Sequence, residues 1–121
     1  MRSRMSDAEF EKLVEEALAQ LPDEFRLQME NIAIVIEEEP EDDDLDEVDI
    51  GDDELLGIFR GIPLTEQSFS ALPALPNQIA IFRGPILRIC RSRREAVREI
   101  RETVIHELGH FFGLSDDEMP F

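Results

Sequence analysis

His106-Glu107-Leu108-Gly109-His110, followed by Phe111-Phe112-Gly113-Leu114-Ser115-Asp116, reads H-E-x-x-H-x-x-G-x-x-D. Residues four apart on an α-helix sit about 40° apart around its axis, so both imidazoles share one face. That spacing suits two nitrogen ligands on one zinc ion, with Glu107 reaching a water on the same metal. Gly113 is placed to end the helix with a positive φ that a side chain resists. The chain then turns back and brings Asp116 to the metal as a third ligand. Three protein ligands leave a fourth position for water, the arrangement of catalytic rather than structural zinc sites. The chain holds two histidines, and both lie in this motif.

These side chains need a long helix to carry them and a scaffold to hold that helix. Ser92-Arg93-Arg94-Glu95 is a capping box that starts it. Val97, Ile100, Val104, Leu108 and Phe111 give it a core stripe, widened by Ile105 and Phe112. A second capping box, Ser6-Asp7-Ala8-Glu9, opens an amphipathic helix predicted over residues 7–20, with Phe10, Leu13, Val14, Ala17, Leu18 and Leu21 at helical spacing. Pro22 stops it.

Between the helices lie four short apolar runs that read as strands: Asn31–Ile36, Leu55–Gly61, Gln78–Phe82 and Ile86–Cys90. Arg83-Gly84-Pro85 reads as a turn joining the last two into a hairpin. Residues 62–77 hold three prolines and read as a surface loop. The elements make one α+β domain, 1–121, with room for one modest core.

The formal net charge is −17, and thirteen acidic residues with no basic one lie between Glu37 and Glu54. Too few apolar residues accompany them to build a core, so 37–54 is predicted to be a mobile acidic loop. Its field would draw cations or basic peptides toward the site. The charge disfavours nucleic acid and anionic membrane as partners. Seven of the twelve basic residues fall between Arg83 and Arg101, without the interleaved aromatics of a nucleic-acid patch. No apolar run is long enough to span a membrane, and the charged start, Met1–Ser6, is followed by no apolar signal segment. Cys90 is the lone cysteine, which excludes an intrachain disulfide and points to the cytoplasm. A buried structural thiol is expected of it, the alternative being an extra metal ligand.

At H-E-L-G-H-F-F-G-L-S-D the sequence resembles the zincin metallopeptidases. It looks most like a small bacterial family of predicted zinc peptidases with a minimal zincin fold. The resemblance extends over the leading helix, the Leu21-Pro22 break, the strand followed by acids, L-L-G-I-F-R-G, I-A-I-F-R-G-P and the C-terminal motif. It implies a small, mostly antiparallel or mixed sheet packed against an N-terminal helix and a C-terminal active-site helix. It implies His106, His110 and Asp116 as ligands of one Zn2+ and Glu107 as general base of a zinc-dependent peptidase. A peptide or protein substrate, basic by charge complementarity, would lie extended along a strand edge, for which Ile79–Phe82 is the candidate. Many zincins stabilise the oxyanion with a Tyr or a further His, and this chain has neither to spare, which implies slow turnover on general substrates.

Two other readings stand beside this one. The H-x3-H-x5-ligand spacing also occurs in a metal-dependent endoribonuclease family of ribosome maturation. Glu107, Asp116 and the acidic balance argue against it. A non-catalytic zinc-binding adaptor would need the ligands but not Glu107.

Overall fold

Ser6 opens the first helix, α1 (Asp7–Ala19), in extended conformation, and its hydroxyl accepts from the Glu9 N–H at 3.2 Å. The computed structural model describes residues 5–46, 54–61 and 77–112. A short helix α2 (Asp23–Gln28) and one turn of 3-10 helix (Met29–Asn31) lead into strand β1 (Ile32–Glu37). A one-turn helix α3 (Asp42–Asp46), strand β2 (Gly57–Arg60) and strand β3 (Asn77–Phe82) follow. Helix α4 (Arg83–Ile89) then leads to the long helix α5 (Arg93–Phe111). The expected surface loop lies almost wholly outside the described residues.

The sheet is mixed, in the order β1-β3-β2. β1 runs parallel to β3 with Ile34 opposite Ile79, and β2 runs antiparallel to β3 with Phe59 opposite Ile79. Alternate residues of β3 face opposite sides, as a pleated strand requires. Ile79 and Ile81 turn into the main core, where Phe10, Leu13, Ile86, Ile100, Val104 and Leu108 are also fully buried. Ala80 and Phe82 turn to the other side and form a smaller cluster with Leu55 and Ile58. α1 and α5 pack on each other over the first face. The α+β class and the two framing helices are as the sequence predicts.

Two expectations are corrected. The run Ile86–Cys90 is not a fourth strand but the body of α4, so there is no hairpin with β3. A strand would bury Ile86, Arg88 and Cys90 together. Instead Ile86, Leu87 and Cys90 are buried while Arg88 and Ile89 face out, which is helical spacing. The Cys90 N–H closes the helix on the Ile86 carbonyl at 3.0 Å. Pro85 sits in the first turn, where its missing N–H has no partner to lose. The second correction concerns the exposed edge. β3 is the central strand and offers no edge, whereas β2 has no strand on its outer side among the described residues.

Part of the acidic run is held by arginines. The Arg60 guanidinium takes both oxygens of Glu37 at 2.8 Å each, and bonds Asp44 through Nε at 3.0 Å and Nη2 at 2.7 Å. Asp44 also accepts from the Glu41 N–H at 2.9 Å, which starts α3. Arg83 holds Glu38 with two bonds of 3.1 Å. Arg88 holds Glu39 with two bonds of 2.7 Å, and Glu54 as well. Residues 47–53 of the run lie outside the described residues.

Candidate metal centre

α5 begins as its capping box predicts, with the Ser92 hydroxyl accepting from the Glu95 N–H at 3.1 Å. Ile100, Val104, Leu108 and Phe111 are buried and fix how the helix is rotated about its own axis. That rotation brings His106 and His110 to the rim of the core, each half-buried. Their ring centroids are 4.9 Å apart with the planes at 69°. Donor atoms of His106, Glu107 and His110 all lie within 4.8 Å of one another. Two imidazole nitrogens beside a carboxylate suit zinc, whereas calcium and magnesium prefer oxygen ligands alone.

Glu107 is 9 % exposed, unusual for a carboxylate. Its Oε1 accepts a 2.7 Å hydrogen bond from the main-chain N–H of Phe59 on β2. The strand therefore supplies part of the polar environment that so covered a carboxylate requires. Close packing of α5 on β2 permits the contact. A Cβ on Gly57 would lie 2.6 Å from Thr103 Cγ2 and 2.7 Å from the Ala80 carbonyl oxygen. Phe59 and Phe111 complete the seam, with ring centroids 5.6 Å apart.

Residues 29–120 match the model of a family described as zincin-like metallopeptidase. The chain belongs to that family. Among solved structures, this zincin-like chain is similar to a conserved hypothetical protein from Thermo thermophilus, with 24 % identity and a TM-score of 0.58. The likeness covers 89 % of this chain and 94 % of that one, and concerns the fold. No curated protein matches the zincin-like chain.

The structure brings together three of the four residues singled out in the motif. Asp116, with Gly113, lies outside the described residues. Cys90 is buried, and loss of solvent pushes its thiol up to about 11, with Glu95 and Glu99 adding to the shift. It packs in the main core and is not among the donors that converge with His106, so it belongs to the core and not to the metal group. Sequence reasoning missed the Phe59 N–H and Gly57. One signal was present, because a glycine inside an apolar strand often marks close approach of another backbone or element. No helix among the described residues is long and apolar enough to cross a membrane.

Proposed function

We propose that this zincin-like chain is a zinc-dependent peptidase. His106, His110 and Asp116 hold the ion, and Glu107 is the general base. The observation that carries the reading is the convergence of both imidazoles with a buried carboxylate within 4.8 Å. Pure ligation does not call for Glu107, whereas peptide hydrolysis does. When bound, zinc acidifies a coordinated water and polarises the carbonyl to be attacked. Glu107 takes the proton from the attacking water and delivers it to the leaving amine. An extended peptide lies along the outer side of β2, beside the helix that carries Glu107. Basic peptides suit a surface of net charge −17, and nucleic acids and membranes do not. The lone cysteine suits the cytoplasm. With no Tyr in the chain and both His used as ligands, turnover on general substrates is slow.

The test is Glu107→Ala. Zinc stoichiometry is expected to remain at one per chain, while cleavage of an unstructured basic peptide falls by about two to four orders of magnitude. Equal cleavage by wild type and variant refutes the assignment of the base. Wild-type protein that binds zinc and cleaves no peptide refutes the peptidase.

A further inference from the structure

The ladder between β2 and β3 decides which way each amide of β2 points. Phe82 N–H donates to the Leu56 carbonyl at 2.9 Å, which makes residues 56 and 82 a hydrogen-bonded pair. Antiparallel pairs alternate between bonded and non-bonded, and Gly57 lies opposite Ile81 and Phe59 opposite Ile79. The main-chain N–H groups of Gly57 and Phe59 therefore point away from β3, toward the outer edge of the sheet. A peptide added as a new strand would find donors there. The Phe59 donor is already engaged, because Glu107 Oε1 accepts from it at 2.7 Å.

From this geometry we infer that the Phe59 main-chain N–H is the positioning group for the Glu107 carboxylate. The inference rests on the peptidase reading given above. A carboxylate on a Glu side chain has three torsions to fix, and the part-buried bond to a strand amide fixes the carboxylate end. With Oε1 anchored, the position of Oε2 relative to the two imidazoles is set by the sheet and not by the helix alone. Proton transfer depends steeply on such placement. Gly57 is the second part of the device. Any larger residue there meets Thr103 on α5 and the Ala80 carbonyl, so the strand and the helix cannot close to the distance that the bond requires. The anchoring also restricts substrate. A peptide pairing with β2 is left the Gly57 amide and the outward carbonyls of Gly57 and Phe59, so its backbone contacts lie to the Gly57 side of Glu107.

The test removes the donor alone. Phe59 is replaced by phenyllactic acid, which puts an ester oxygen where the N–H was and keeps the side chain. The kcat for a basic peptide is expected to fall about tenfold or more with KM and zinc affinity unchanged. The same replacement in a Glu107→Gln background is expected to change kcat less than twofold, an outcome that a merely structural role would not give. A readout independent of activity is amide hydrogen exchange in the intact protein. The Phe59 N–H is expected to exchange at least tenfold more slowly in wild type than in Glu107→Ala, with and without zinc. Equal exchange, or an unchanged kcat in the ester protein, overturns the inference and leaves the peptidase reading standing. A protected amide in zinc-loaded protein that cleaves no peptide overturns the peptidase reading and the positioning role with it.

Discussion

Arg60→Met tests whether the arginine clamp on the acidic run stabilises the domain. Methionine keeps much of the apolar stem, which in the wild type carries the guanidinium 5.9 Å above the Phe82 ring. It removes two bonds to Glu37, two to Asp44 and a 3.3 Å bond to Gln78. The side chains of Arg60 and Glu37 are 27 % and 34 % exposed, and that of Asp44 is 8 % exposed. Exposed ion pairs contribute at most about 1 kcal/mol, and breaking a deeply buried pair costs about 3–5 kcal/mol. The clamp lies between these limits. Solvent screening weakens the Glu37 arm, while the nearly covered Asp44 loses its charged partner and keeps the Glu41 N–H. A loss of about 2 kcal/mol at pH 7 is expected, or a fall in Tm of about 6–10 °C for a domain of this size.

The pH dependence supplies a second check on the same substitution. Hydrogen bonds from Arg60 hold both Glu37 and Asp44 below their ordinary values of 4.5 and 3.8. A depressed carboxylate stabilises the folded state above its unfolded pKa and loses that contribution as pH falls through the folded one. Urea denaturation of wild type and Arg60→Met should therefore diverge at pH 7 and converge as pH drops below the ordinary carboxylate range. In a Glu37→Gln, Asp44→Asn background the arginine substitution should cost under about 0.5 kcal/mol. A cost that is independent of pH, or a cost unchanged in that background, refutes the clamp as the source of stability.

Asp116→Ala should weaken zinc binding by at least about tenfold by calorimetry, with α-helix content unchanged by circular dichroism; an unchanged affinity removes Asp116 from the ligand set. Gly57→Ala should destabilise the fold by about 1–3 kcal/mol by overpacking against Thr103 and Ala80, and equilibrium denaturation measures it. The Cys90 thiol, pushed up to about 11, should react with iodoacetamide at pH 8 far more slowly than a free thiol, until denaturant is added. Because this acid holds its proton more tightly when folded, its ionisation should also erode stability as pH rises from 9 toward 11.

What the amino acids disclose in advance is mostly local. Ser6 and Ser92 both cap helices because a hydroxyl and a Glu three residues on can satisfy the first turn without help from elsewhere. The H-E-x-x-H face follows from helical geometry alone. Ile86–Cys90 misleads because a five-residue apolar run carries no decisive period. Pro85 and the outward Arg88 settle the matter only when burial is known. The order of strands is not a local property either. β3 lies between β1 and β2 although it comes last in the chain, and nothing in its own residues marks it as central rather than as an edge. The arginine clamps join residues 16 to 49 positions apart, and no spacing rule reaches across such intervals. The same is true of the Phe59–Glu107 bond, which spans 48 positions and depends on how α5 docks on β2.

Arg88 grips Glu39 and Glu54 with one guanidinium. Two points fifteen residues apart are thereby pinned to a common post, and Asp44 is fastened separately to Arg60. Losing the Arg88 side chain would free both carboxylates at once, so substitutions at Glu39 and Glu54 are not independent: their effects on stability should couple rather than add.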